Sequence, residues 1–419
     1  MRILIATPEL AGPGGVQSYV MTIAPHLERL GHEVTTYCRL EGAMAGEARE
    51  RGLQVVCGEQ ALPSQIDVVY SQTAPLALRM AELYPHAARV IAVHSGSLDL
   101  HLPIGLEGVV SKAVVFNDAT AERVRAMANP PPVVRLRQPI EYTLLTSAAS
   151  PRPHPGTVLA LGNSLGGVRR STLIALCEQL GLSWQEVGIM GTPLIDPLPA
   201  IARADIVIGM GRSILDAMSC GRPSWVYGPG GGDGWVTEDS YARLEADGFR
   251  GFATGSAPDA AAFRRGLEDY DPEMGVVARS LVIAHHSPYD HATALVGLFT
   301  GTAVEPPPDA PLREMAQLIR IAYQHQAQNV VIRRELETLA LTHRDEVEQL
   351  LAAHRAEIEQ HWSPRATEAE ALLAEHRVVQ ARHDAEVQRL VSKLELLTGT
   401  RRWRAMNSLL RPLDRLRGR

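Results

Sequence analysis

The stretch "RILIATPELAGPGGVQSYVMTIAPHLERLGHEVTTYC", Arg2 to Cys38, decides the fold. It opens with a short apolar run, Arg2–Thr7, that reads as a buried strand. The glycines Gly12, Gly14 and Gly15 follow. From Val16 to Leu30, residues Val16, Tyr19, Val20, Ile23, Ala24 and Leu27 fall on one face of a helix. Gly31 is placed to cap that helix, and Val34–Cys38 reads as a second strand. Strand, glycine turn, helix and strand in so short a span form a βαβ unit, the building block of a parallel sheet.

The pattern continues outward. Apolar runs recur at Ile66–Tyr70, Val90–Val93 and Ala113–Phe116, separated by helical stretches at Pro75–Glu82 and Ala119–Ala128. Such alternation predicts a parallel sheet with helices on both faces, and ligands bind at the C-terminal edge of its strands. Prolines cluster in "NPPPVV" after Met127-Ala128 and in "ASPRPHPG" (Ala149–Gly156), which places a linker at about 140–155. A second series begins at Thr157. Its elements are a strand "TVLALG", a helix Ser171–Leu180, a strand near Val187–Met190, a helix Pro197–Ala202, a strand "ADIVIG", a helix Ser213–Cys220 and a strand "PSWVYG". It ends near Thr300, after a helix at Asp290–Phe299. The fold class expected is α/β, with two doubly wound Rossmann-like domains at residues 1–145 and 155–303.

Beyond the proline-rich hinge Val304–Pro311 the chain changes character. Residues 312–397 are charged and helical. Leu339, Leu350, His361, Leu372, His383 and Leu394 share one column of an eleven-residue register, which favours a straight or slightly right-handed coiled coil. Pro364 interrupts it. Self-association through this extension is expected; a lone solvated helix is the alternative. The tail, residues 398–419, contains "RRWRAMNSLLRPLDRLRGR", with Trp403, Met406, Leu409, Leu410, Leu413 and Leu416 at helical spacing among arginines. That composition suits an anionic membrane surface, contacted by residues 401–419. A solvated basic terminus or a docking segment for a protein would have the same composition.

The charge balance narrows the partners. The net charge is −6, while Arg401–Arg419 holds seven arginines and one aspartate, or +6, so the rest of the chain carries −12. An acidic body argues against nucleic acid. The four cysteines, Cys38, Cys57, Cys177 and Cys220, show no metal or disulfide spacing, which fits a reducing cytosol. No segment approaches the about 20 apolar residues of a spanning helix. The N-terminus lacks the apolar segment of a signal peptide. The location expected is cytoplasmic, peripheral at the inner face of the membrane.

The glycine turn fits neither common nucleotide motif. Gly12 and Gly14 begin Gly-x-Gly-x-x-Gly, but Gln17 stands at the last position, and no Gly-Lys-Ser/Thr is present. Gly14 and Gly15 still allow close backbone approach, and a helix N-terminus favours an anion. A plain tight turn is equally compatible. However, the Gly-Gly turn and "HLERLGHEVTTYC" together resemble the opening of family-4 glycosyltransferases of the GT-B fold. "ADIVIGMGRSILDAMSCGRPSWVYG" resembles that family's nucleotide-sugar segment. The resemblance spans residues 1 to about 300.

The resemblance implies residue roles. Gly14 and Gly15 would contact the donor diphosphate or the acceptor. His94 matches a histidine at the mouth of the cleft, near the donor sugar. Asp216 matches the second glutamate of a Glu-x7-Glu signature that holds the ribose hydroxyls. Gly209 and Gly211 match glycines lying against the donor, and Ser213 opens the next helix. Three departures stand out: the first glutamate falls on Ile208, the second is the shorter Asp216, and Asn163 replaces an arginine. Arg169, Arg170 or Arg212 would then meet the pyrophosphate. The stretch "GPGGGDGWVTED" (Gly228–Asp239) reads as a loop closing over the donor, with Asp233 on the sugar hydroxyls and Trp235 packing or stacking; a flexible surface loop is the alternative. "AHHSPYDH" (Ala284–His291) fits no standard zinc spacing and reads as helix packing.

The function implied is transfer of a sugar from a nucleotide diphosphate sugar to a glycan or lipid-linked acceptor, retaining, with no metal and no cofactor beyond the donor substrate. Ile208 and Asn163 motivate an alternative, a non-catalytic GT-B scaffold that organises a glycan-assembly complex. A sugar-nucleotide epimerase of the same fold has no evident use for the extension and tail.

Overall fold

β1 (Arg2–Leu10) buries Ile3, Leu4, Ile5 and Ala6 completely. A strand covered on both faces belongs inside a parallel sheet. It sits there, in a seven-stranded sheet of order β3-β2-β1-β4-β5-β6-β7. The others are β2 (Glu33–Glu41), β3 (Gln54–Cys57), β4 (Val68–Ser71), β5 (Ala88–Val93), β6 (Lys112–Val115) and β7 (Val133–Arg135). Ile5 pairs with Thr36 on one side and Tyr70 on the other, both in parallel register. Helices α1 (Gly15–Arg29), α2 (Ala43–Glu50), α3 (Ala74–Leu83) and α4 (Asp118–Arg125) connect the strands. The strand order reverses between β1 and β4, which opens a crevice at their C-terminal ends.

A second sheet has the order β12-β11-β10-β8-β9. Its strands are β8 (Thr157–Leu161), β9 (Ser183–Val187), β10 (Ile206–Gly209), β11 (Ser224–Gly228) and β12 (Gly231–Trp235). β8 to β11 are parallel, and the order reverses between β8 and β10. The helices are α5 (Gly167–Gln179), α6 (Leu198–Ile201), α7 (Arg212–Ser219), α8 (Glu238–Asp247), α9 (Ala260–Gly266), α10 (Glu273–His285) and α11 (Pro288–Thr300). Buried Asp205 pins the entry to this sheet. Its carboxylate accepts from Arg152 and from the Gly156 and Thr157 amides, at 2.7 to 3.2 Å.

Two expectations change. The glycine stretch after β11 holds a strand rather than a loop over a ligand. β12 runs antiparallel to β11, with a register shift at Val226/Tyr227. Trp235 anchors it: the ring meets Trp225 edge-on at 4.9 Å and Nε1 donates to the Gly266 carbonyl at 2.7 Å. The final helix of the second series, α11, packs on the first sheet. Its Ala292, Leu295 and Phe299 are buried in one core with Ile3, Ile5 and Tyr70. Apolar residues at that spacing form one helical face, and here that face covers the first domain.

The computed structural model describes residues 1–143, 150–162, 165, 167–188, 191–228, 231–256, 260–302, 347, 349–356 and 366–399. The chain divides into two units, Met1–Ala316 and Gln317–Arg419. In the second unit, α12 (Ala366–Gly399) is one helix of 34 residues. Most of the expected register before Pro364, and the tail from residue 400, lie outside the described residues. Among the described residues no helix is long and apolar enough to cross a membrane.

Candidate functional site

The residues expected at the site lie mostly along the C-terminal edges of the two sheets. On the first, the glycine turn leads from β1 into α1, with Gly14 as N-cap and extended backbone. A Cβ on Gly15 would meet nothing within 4 Å, so that side of the turn is open. Gln72 follows β4 directly, and His94 follows β5. His94 Nε2 lies 2.6 Å from Gln72 Oε1. Its ring lies 5.0 Å from Phe116, tilted by 31°, and meets Tyr19 of α1 edge-on at 4.9 Å. Burial pushes the His94 pKa well below its ordinary value, and His101, Arg212 and His291 push in the same direction. His94 is therefore a neutral imidazole at pH 7.

Tyr19 belongs to a buried chain. His291 Nδ1 lies 2.9 Å from the Arg137 carbonyl, an acceptor, so Nδ1 carries the proton. His291 Nε2 then accepts from the Tyr19 hydroxyl at 2.8 Å, and Tyr70 donates to the Tyr19 oxygen at 2.6 Å. Desolvation raises the pKa of Tyr19 well above its ordinary value, so it stays protonated.

The second sheet supplies Gly209, Gly211, Arg212, Ser213 and Asp216. A Cβ on Gly209 would come within 2.8 Å of the Leu161 carbonyl and 3.2 Å of Ser213 Cβ, so Ser213 lies over the gap between β8 and β10. Gly211, at φ 58° and ψ −129°, holds a conformation that L side chains rarely adopt and turns the chain into α7. Arg212 reaches back to the first domain. Its Nη2 donates to Thr22 Oγ1 of α1 at 3.0 Å, and Nη1 to the Pro139 carbonyl at 3.1 Å. The nearest carboxylate oxygen with which it forms an ion pair, Asp216 Oδ1, is 3.6 Å from Nε. Nε itself is buried and has no hydrogen-bond partner among the described residues. The guanidinium is partly buried, its side chain 12% exposed, and its two hydrogen bonds go to neutral acceptors. The Asp216 pKa is raised by burial and opposed by Arg212.

Other expected residues stand elsewhere. Arg169 Nη1 donates to the Gly228 carbonyl at 3.0 Å, at the C-terminal end of β11. Arg170 makes a bidentate pair with Glu186 of β9, both bonds 2.7 Å, and Trp184 Nε1 donates to the same carboxylate. That guanidinium fastens α5 to the sheet. Asp233 is 8% exposed, and its carboxylate accepts from the amides of Ala253 and Thr254 and the Thr254 hydroxyl at 2.8 to 3.0 Å. Those bonds fold a turn onto β12 and leave Asp233 facing protein rather than a sugar. Ile208 is 1% exposed and packs with Val158 and Trp225, so the position matched to the signature's first acid faces the core. Asn163 lies outside the described residues.

In "AHHSPYDH", His286 Nδ1 bonds the Gln138 carbonyl at 2.7 Å and Nε2 the Tyr241 hydroxyl at 2.8 Å. With His291 on Arg137, it joins the two stretches of chain that pass between the domains. The sequence reading assigned no role at the site to Tyr19, Thr22, Gln72 or Phe116. Gln72 had a usable signal, a polar residue directly after a predicted parallel strand. Tyr19 and Thr22 read as ordinary positions of an amphipathic helix.

No protein-family model matches the chain, and no curated protein matches it in sequence. Solved structures do match in fold. Anabaena HepE in complex with UDP and glucose superposes with a TM-score of 0.53 at 13% identity, covering 72% of this chain and 99% of HepE. HepE in complex with UDP-glucose gives 0.50 at 12% identity, over 71% and 99%. The architecture is that of two Rossmann-like domains in the GT-B arrangement.

Proposed function

We propose that the cleft binds a nucleotide diphosphate sugar and that the protein transfers the sugar to a glycan or lipid-linked acceptor. The observation that carries this reading is Arg212, a partly buried cation at the start of α7 with neutral acceptors on two of its nitrogens and its third 3.6 Å from Asp216 without a hydrogen bond. It stands between the two sheet edges, within electrostatic reach of His94. A diphosphate leaving group needs fixed positive charge and backbone N–H donors. Arg212, the N-terminus of α7 and the open turn at Gly15 offer both; Arg169 is the next cation along the edge. Asp216 would accept ribose hydroxyls, and neutral His94 would contact the sugar. Transfer with retention of configuration and without a metal fits a site whose reacting groups are cations, amides and a neutral imidazole. HepE, seen with UDP-glucose, makes UDP-sugars the first donors to try. The extension and tail would bring the enzyme to the inner membrane face and to a second copy.

The buried Ile208, the Arg170–Glu186 pair and the occupied carboxylate of Asp233 favour a second reading, a scaffold of the same fold without turnover. Calorimetric titration with UDP-glucose and other sugar nucleotides, followed by an assay for released UDP in the presence of membrane lipid acceptors, separates them. Binding with release supports transfer; binding without release supports the scaffold.

A further inference from the structure

The residue directly after β4 sets the chemistry of His94. We infer that Gln72 is a positioning residue that holds His94 in its Nε2-protonated tautomer, so that Nδ1 is the ring's acceptor for a ligand hydroxyl in the cleft. The ligand part of this inference rests on the donor-site reading above.

Gln72 is fully buried, and its backbone N–H donates to the Ala6 carbonyl at 2.9 Å. It therefore sits at the crevice between β1 and β4 with little freedom. Its side-chain nitrogen donates to the Tyr70 carbonyl at 3.4 Å, which fixes which way the amide faces. The amide oxygen then points at His94 Nε2, 2.6 Å away. A carbonyl oxygen only accepts, so Nε2 must carry the hydrogen. A neutral imidazole has one N–H, so Nδ1 keeps its lone pair.

The surroundings keep the ring neutral and still. Tyr19 from α1 and Phe116, after β6, hold its plane. The charged or titratable groups facing it are Arg212 from α7, His101 from the short turn after β5 and His291 from α11, and each disfavours a second proton. The Tyr19 hydroxyl is already engaged by Tyr70 and His291. Nδ1 makes no hydrogen bond among the described residues. His94 itself is only partly buried, which leaves part of the ring open to the cleft. A lone pair beside the Arg212 cation suits a hydroxyl two or three bonds from a phosphate, as on the sugar of a sugar nucleotide.

The test is nitrogen NMR of the full chain labelled with 15N-histidine, with the His94 signals identified by their loss in His94→Gln. At pH 7 the wild type is expected to show Nε2 protonated and Nδ1 free. Gln72→Leu is expected to give a tautomer mixture, and Gln72→Glu to move the His94 protonation midpoint upward by adding an opposite charge at the same place. Gln72→Leu is also expected to weaken UDP-glucose about tenfold and UDP hardly at all. An Nδ1-protonated ring in the wild type, or an unchanged tautomer in folded Gln72→Leu together with an unmoved midpoint in Gln72→Glu, overturns the role of Gln72. The expected tautomer in a wild type that binds no sugar nucleotide overturns instead the donor-site reading and the ligand assigned to Nδ1.

Discussion

Replacing His286 and His291 together by asparagine is expected to remove a defined slope from the dependence of stability on pH. Both rings are buried, at 2% and 6% exposure, and both fasten the linker that passes between the domains. Burial pushes each pKa down from 6.5 to about 4, against a smaller opposing effect of the bond to a backbone carbonyl. In the unfolded chain each returns to about 6.5. Between those values the unfolded chain binds more protons than the folded one. Stability therefore falls as pH falls through this window, and the loss is complete below about pH 4. At pH 5.5 an unfolded histidine is about 90% protonated and a folded one about 3%, so each ring adds about 1.2 kcal/mol per pH unit. The pair adds about 2.4, which over one pH unit is a large share of a marginal stability of about 5–15 kcal/mol. The assay is urea unfolding followed by tryptophan fluorescence from pH 5 to 7, for wild type and the double variant. The variant is less stable at pH 7 but should have the shallower slope. Equal slopes would refute the argument, since a merely structural loss shifts the curve without changing its pH dependence.

Two further outcomes follow from particular contacts and a third from the composition of the tail. Arg212→Gln is expected to weaken sugar-nucleotide binding about 10- to 100-fold by calorimetry, the loss of hydrogen bonds to a charged group. Gly275→Ala in α10 would drive its Cβ into the Gly221 carbonyl and to 3.1 Å from Pro223 Cδ, behind the α7 that carries Arg212. It should cost about 1–3 kcal/mol in urea unfolding. Removal of residues 401–419 is expected to abolish co-flotation with anionic vesicles and leave flotation with neutral vesicles unchanged.

The parts of the fold legible in the sequence were those whose burial shows as unbroken apolar runs. β1, β4, β5 and β6 were found within a few residues because a strand inside a parallel sheet is apolar on both faces, while β2, which holds Thr35 and Thr36, was found from its place after the glycine-capped helix. Edge strands were lost. β9 (Ser183–Val187) has its outer side chains exposed in alternation, and the reading placed a strand too late, near Val187–Met190. β3 and β7, at the two edges of the first sheet, are short and only partly buried, and were missed. β12 was hidden by its glycines, because nothing in "GGDGW" signals a strand until Trp225 is seen against Trp235. At the site, the sequence located the turns and α7 but not the partners across the cleft. Arg212 meeting Thr22, and His94 meeting Gln72, are contacts between segments far apart in the chain, and local spacing carries no trace of them. Arg170 was chosen from its place in the family resemblance and Asp233 from its glycine loop after a strand end, and the structure shows each already bonded within the protein.

The central claim is that the cleft between the two sheets is a sugar-nucleotide site organised by Arg212 and Asp216. Its most direct test is calorimetric titration of the full chain with UDP-, GDP-, ADP- and dTDP-sugars, repeated with Asp216→Ala. Saturable binding of one donor class, lost in a folded Asp216→Ala protein, is the expected result. Failure of the folded wild type to bind any of them, or undiminished binding in Asp216→Ala, would contradict it.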